Sequence, residues 1–316
     1  MKKILAIFSM IFLCTMTANA NEVNESGNNR HTIRLVYPQW QGGNIAGFIP
    51  ELKPEDASRG YILGAELLNF LAPKTDDKTV IVPISDEISR TEEKGIMGYT
   101  SVLKQTKDAV KILDKENPDR IVVLGGECSV SVVPFTYLAK KYQNDVALVW
   151  IDAHPDMTLP EDKTYNGYHA MAVTAIMGKG DKAILSELPA KIDPDRILFV
   201  GLRDWERQQI VDRQKEYGIK HLSVEDVSKD SAKAIEWIRS TGAKHVVIHY
   251  DLDVLDPDEM IAAVGVVPKG MKIAEVVRLI NDINKETDVV GLTVAEPMPR
   301  LAIRIRNMLN ALPLLK

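Results

Sequence analysis

The sequence reads as a three-layer α/β/α domain on three grounds. Short β-branched runs alternate along the chain with segments of helical period. Three of the runs, "IVVLGG", "VALVWIDAH" and "HVVIHYDLD", are almost continuously apolar, the pattern of parallel strands covered on both faces. No repeat or low-complexity stretch interrupts residues 32–316, so a single domain accounts for them. A chain of 316 residues, 45% hydrophobic and 26% charged, is enough to bury one full core.

Residues 1–20, "MKKILAIFSMIFLCTMTANA", have the form of an export signal. Lys2 and Lys3 give the charged start, Ile4 to Leu13 the apolar middle, and Ala18-Asn19-Ala20 a small-residue cleavage site. The apolar part is short for a membrane span. The expectation is therefore a periplasmic or secreted protein, free of the membrane after cleavage. Cleavage removes Cys14 and leaves Cys128 as the only thiol, so no internal disulfide is expected. Residues 21–31 are polar and read as a flexible segment. Strands are expected at 33–37, 79–83, 119–124, 146–152, 196–200, 244–251 and 288–294. Helices are expected at about 57–71, 99–115, 129–142, 205–217, 229–240, 272–284 and 299–312. In 272–284, Ile273, Val276, Val277, Ile280 and Ile283 recur at helical spacing. A net charge of −5 without a dense basic cluster argues against nucleic acid as a partner.

Ligands of such sheets bind beyond the carboxyl ends of the strands. There the chain places Cys128, Asp152 to Asp156, Arg203 and Asp204, Asp251 to Asp256, and Glu296. Clustered acids repel and resist desolvation unless a cation neutralises them. "DAHPD" sets Asp152, His154 and Asp156 at alternate positions, which face one way while the backbone stays extended. "DLDVLDP" repeats the device with Asp251 and Asp253. Either motif alone also fits a turn or cap. Together they offer four carboxylates and one imidazole, a set suited to Mn²⁺, with Fe²⁺, Co²⁺, Ni²⁺ or Zn²⁺ open. Four negative charges exceed one divalent ion, so the set invites two.

"DAHPD", "DLDVLDP", "GLRD" and the turn Gly125-Gly126-Glu127-Cys128-Ser129 resemble the ureohydrolase family of arginase, agmatinase, guanidinobutyrase and formimidoylglutamase. The similarity runs in the same order from about residue 33 to 312. It implies one α/β/α domain with a mostly parallel, eight-stranded sheet, assembled as a trimer or hexamer. It also implies hydrolysis of a guanidino or formimino C–N bond at a dimanganese site. By the same resemblance, Asp152 and Asp251 bridge two metals, Asp156 completes the first site, and His154 with Asp253 completes the second. His169 passes a proton to the leaving amine, Glu296 holds the guanidinium, and Glu206 stands near a distal amino group of the substrate. The loop "MTLPEDKTYNGY" lacks the Asn and Ser that arginases set against the substrate carboxylate, so L-arginine is not the expected substrate.

Cys128 stands where the resemblance requires an imidazole ligand. Three states are open to it: a thiolate ligand that shifts preference toward Zn²⁺ or Fe²⁺, a thiol beside a weakened first site, or a fold that binds without metal. His249 shares strand parity with Asp251 and could compensate, although a hydrogen-bonded core histidine is the plainer reading. Two functions follow: a metal-dependent amidine hydrolase, or a non-catalytic, metal-poor binding protein.

Overall fold

The apolar runs become the strands of one sheet, because a strand buried on both faces has no polar side to turn outward. The computed structural model describes residues 30–88 and 90–315. The expected export signal, and residues 21–29 of the polar segment after it, lie outside the described residues. The sheet comprises β1 (Thr32–Tyr37), β2 (Lys78–Ile81), β3 (Arg120–Gly125), β4 (Val146–Ile151), β5 (Ile197–Val200), β6 (Lys220–Leu222), β7 (His245–Asp251) and β8 (Asp288–Ala295). In these labels their order is β2-β1-β3-β8-β7-β4-β5-β6. All seven pairings are parallel. The sheet is thus fully parallel where a mostly parallel one was expected. Strand β6 is the one the sequence reading omitted.

The longer helices are α1 (Gly60–Leu71), α2 (Tyr99–Glu116), α3 (Val132–Lys141), α4 (Gln208–Tyr217), α5 (Ala232–Thr241), α6 (Ile273–Glu286) and α7 (Arg300–Ala311). They pack on both faces. One core layer contains Phe135, Leu138, Leu148, Trp150 and Phe199. The other contains Val149, Ile151, Ile248, Leu279 and Ile283. Helix α6 buries Val276, Leu279 and Ile283, while Val277 is exposed. Val277 lies about 100° around the helix from Val276 and so leaves the stripe, which Leu279 completes. The expected helix 129–142 begins instead as a 3-10 turn, Cys128–Ser131, before α3.

Strands β3, β8, β7 and β4 are consecutive in the sheet. Cys128, Glu296 and Asp152 follow the carboxyl ends of β3, β8 and β4, and Asp251 is the last residue of β7. The strand order therefore gathers side chains that are far apart in sequence.

Candidate metal centre and active site

Asp152 follows β4, its N–H bonded to the Val200 carbonyl at 3.0 Å. Its Oδ1 accepts the His154 amide at 2.7 Å and its Oδ2 the Trp150 indole N–H at 2.9 Å. Past His154 the chain does not stay extended: Asp156 has φ +46°. Asp251 likewise caps a 3-10 turn, Leu252–Val254, its Oδ1 accepting the Asp253 amide at 2.6 Å. The expected extended alternation is corrected here. Both motifs converge through turns held by their own first carboxylate. His154 Nδ1 lies 2.9 Å from Asp253 Oδ2 and 3.6 Å from Asp152 Oδ1.

On the β3 side, Gly126 allows close approach: a Cβ there would overlap the Gln39 carbonyl oxygen. Glu127 is buried and serves the turn, accepting the Ser129 amide at 2.7 Å and the Gln39 side-chain amide at 2.6 Å. Cys128 Sγ reaches Asp251 Oδ2 at 2.9 Å. Glu296 follows β8 with φ +62°, a conformation that non-glycine residues adopt rarely. Its Oε1 accepts the Cys128 amide at 3.2 Å, and its Oε2 accepts the Tyr61 hydroxyl. His169 sits in the turn Tyr168–Met171, Nδ1 at 3.3 Å from Glu296 Oε1 and Nε2 at 2.7 Å from the Tyr165 hydroxyl. Glu206 is at the rim, partly exposed and 3.2 Å from Arg207.

Cys128, His154, Asp156, His169, Glu206, Asp251, Asp253 and Glu296 line one cavity of about 350 Å³; Asp152 and His249 are buried outside its lining, and Arg203, Asp204 and Asp256 do not line it. Tyr61, Tyr165 and Ser131 were not singled out beforehand. Tyr165 had a signal, four residues before His169 in the same loop, whereas Tyr61 enters from α1 and Ser131 had no motif.

The electrostatics define what the site needs. Burial, then the Asp253 charge, pushes Asp152 up to about 7. Burial and neighbouring carboxylates raise Asp156 and Asp251 well above the usual range. Burial also pushes the Cys128 thiol up, with Asp156 and Asp251 adding to it. Burial disfavours charge on both partners of the His154–Asp253 pair, but their mutual attraction prevails, raising His154 well above its ordinary value and holding Asp253 at about 2. Burial alone drives His249 down to about 3. Among the described residues, no lysine or arginine pairs with Asp152, Asp156, Asp251 or Asp253; their ion pairs are with histidines. Asp156 Oδ2 and His249 Nε2 are buried without any hydrogen-bond partner.

Buried acids that no lysine or arginine pairs with, one of them with an unsatisfied oxygen, fit divalent cations. Among the described residues, potential ligand atoms lie within 4.8 Å of one another in three groups: Cys128, Asp152, His249 and Asp251; Asp152, His154 and Asp253; and Cys128, His169 and Glu296. Asp156 lies outside all three, lining the cavity next to them. A parallel α/β/α sheet with this centre at its carboxyl edge defines a candidate metal-binding α/β protein.

Comparison gives the family. Residues 75–312 match the Arginase family. The arginase of Staphylococcus aureus is 30% identical over 224 residues, covering 68% of each chain. That of Entamoeba histolytica is 26% identical over 255 residues, 78% of this chain and 85% of its own. Among solved structures, Bacillus caldovelox arginase superposes with a TM-score of 0.68 at 19% identity, covering 90% of this chain and 99% of its own. Proclavaminate amidino hydrolase from Streptomyces clavuligerus does so with 0.59 at 17% identity, covering 85% of this chain and 84% of its own. The chain belongs to the arginase family.

Proposed function

We propose that this protein is a divalent-metal-dependent hydrolase that cleaves a guanidino C–N bond, giving urea and an amine. The observation that carries the reading is the meeting of buried Asp152, Asp156, Asp251 and Asp253 with Glu296 and His169 in one place. Asp152, His154 and Asp253 would hold one cation; Asp152 and Asp251, with Asp156 and Cys128 beside them, would hold the other. Mn²⁺ is the metal the family resemblance suggests, and a sulfur donor favours Zn²⁺ or Fe²⁺. Bound cations of this kind supply a water that is nucleophilic at neutral pH.

The chain's own residues do the rest. Glu296 binds the planar substrate cation, since a carboxylate takes parallel N–H bonds from it. The Tyr61 hydroxyl and the Cys128 amide fix the carboxylate from opposite oxygens. Burial disfavours charge on His169, but Tyr165 and Glu296 outweigh it and hold the imidazole well above its ordinary pKa. His169 thus carries a proton on Nδ1 beside whatever Glu296 holds, and delivers it to the departing amine. Ile45, Val264 and Val266 line the remaining wall and suit an alkyl stem. Glu206, at the rim and paired with Arg207, would meet a distal amino group of the substrate.

The test is purified protein stripped of metal, reloaded separately with Mn²⁺, Zn²⁺ and Fe²⁺, and offered guanidines with and without an amino-acid head, together with a formimino compound. We expect urea, or formamide from the formimino compound, with at least one pairing. No turnover with any metal would remove the hydrolase reading. The competing reading, a metal-poor binding protein, rests on Cys128 at an imidazole position, and it predicts that Cys128→His gains neither metal nor activity.

Export belongs to the proposal, resting on residues 1–20. Intact mass of the protein from its own cell should then correspond to a chain starting at Asn21. Among the described residues no helix is long and apolar enough to cross a membrane. Assembly into a trimer or hexamer is also proposed, supported by Leu301, Ile305 and Met308 exposed along α7. The solution mass tests it.

A further inference from the structure

His249 is fully buried in β7, two residues before Asp251, and its Nε2 has no hydrogen-bond partner. Its Nδ1 lies 2.8 Å from Ser131 Oγ, in the same turn as Cys128. The ring stacks on Trp150 of the adjacent strand, 3.5 Å between centroids and 7° between planes. With Nδ1–H donated to the serine hydroxyl, Nε2 keeps its lone pair, and that atom is 3.9 Å from Asp152 Oδ2. A ligating histidine is prepared in this way, one nitrogen fixed by an outer partner and the other bare. An ordinary core histidine finds partners for both.

The bare nitrogen does not stand alone. Potential ligand atoms of Cys128, Asp152, His249 and Asp251 fall within 4.8 Å of one another. They come from β7 and from the turns that follow β3 and β4, and offer one sulfur, one nitrogen and carboxylate oxygens. Of the other two groups, Cys128, His169 and Glu296 shares the same sulfur, while Asp152, His154 and Asp253 has none. The two halves of the centre therefore differ in chemical softness.

Resting on the hydrolase reading, we infer that the first cation is held by Cys128 as thiolate, His249 through Nε2, and the carboxylates of Asp152 and Asp251, a set that selects Zn²⁺ over Mn²⁺. His249 replaces, from the strand side of the centre, the imidazole that position 128 lacks. Four donors of mixed sulfur, nitrogen and oxygen match four-coordinate zinc, whereas Mn²⁺ favours oxygen-rich sets. On binding, the thiol proton is exchanged for the cation and passes to solvent. Ser131 is a positioning residue that orients the His249 ring.

The experiment uses the full protein, depleted of metal and titrated with Co²⁺ as a spectroscopic stand-in for Zn²⁺, with Zn²⁺ competition read by chelator. The expected result is a thiolate-to-cobalt charge-transfer band in the near ultraviolet that Zn²⁺ abolishes. Cys128→Ser should remove the band. His249→Gln should remove one of two paramagnetically shifted imidazole N–H resonances and weaken Zn²⁺ at the first site more than about 100-fold. Should His249→Gln fail to fold, Ser131→Ala gives the same answer through a milder change, about 10- to 100-fold weaker Zn²⁺ with the band retained. A wild-type cobalt protein without the band overturns the thiolate. Zn²⁺ affinity unchanged in both the His249 and Ser131 variants overturns the imidazole. Urea release with Mn²⁺ and no band would sink this assignment alone, and the band without any turnover would sink only the hydrolase reading.

Discussion

Glu296 meets Tyr61 across 235 positions of chain, and the Cys128 amide across 168, so its carboxylate is fixed before any substrate arrives. Glu296→Gln keeps the shape and loses the charge, and we expect kcat/KM for the best guanidine to fall about 100-fold or more. His169 must carry its proton to act, so the rate should fall as pH rises through its elevated pKa. His169→Asn should lower kcat by about 10²- to 10⁴-fold and remove that alkaline limb from the pH profile. Steady-state kinetics across pH check both, and an alkaline limb that persists in the variant would exclude His169 as the donor. Asp152, His154, Asp251 and Asp253 were legible in the sequence because acids at the ends of apolar runs have no ordinary structural purpose. Tyr61 was not, since nothing local marks a helical tyrosine whose partner is a strand end far along the chain. His249 was weighed and read as core, because its bare nitrogen is a property of three dimensions alone.

The loop after Asp156 carries Tyr165 and His169, and α4 holds it. Arg213 of that helix donates to the Met157 carbonyl at 2.6 Å and, in a fork, to both oxygens of Asp162 at 2.7 Å. Asp162 in turn accepts the Leu159 amide at 2.8 Å. Removing the fork leaves a buried carboxylate without its cation. Arg213→Met should cost about 2–3 kcal/mol, seen as a lower denaturation midpoint in urea at unchanged slope. An unchanged midpoint would show that the loop does not depend on the helix. Strands such as β4, buried at all six positions, announced themselves through continuous apolar sequence. Strand β6 did not: "KHL" at the sheet's edge is exposed, exposed and half-buried, so neither hydropathy nor alternation could mark it.

Parallel sheets place their functional groups by strand order, and here that order makes β3, β8, β7 and β4 neighbours. Apolar runs declared the strands, but nothing in a single run states who its neighbours are; the family motifs supplied that. The stability of the protein as a unit should carry the mark of its acidic centre. With Asp152 raised to about 7, and Asp156, Asp251 and His154 also raised, the metal-free folded state binds more protons than the unfolded chain. Stability in chelator should therefore fall as pH rises from about 4 through about 7. Asp253, held near 2, has contributed fully by the bottom of that window, and His249, held at about 3, opposes the fall up to its ordinary range but is one group against the three raised carboxylates. Thermal unfolding in chelator at several pH values checks the sign, and saturating Zn²⁺ should reverse it. A melting temperature that climbs with pH in chelator would contradict the picture.

Asp152 belongs to both ligand groups proposed for the cations. If two ions bind as proposed, their occupancies would be linked, because the carboxylate held by the first would be the one the second needs. Calorimetric isotherms should depart from those of two independent sites, and Asp152→Asn should flatten both steps together.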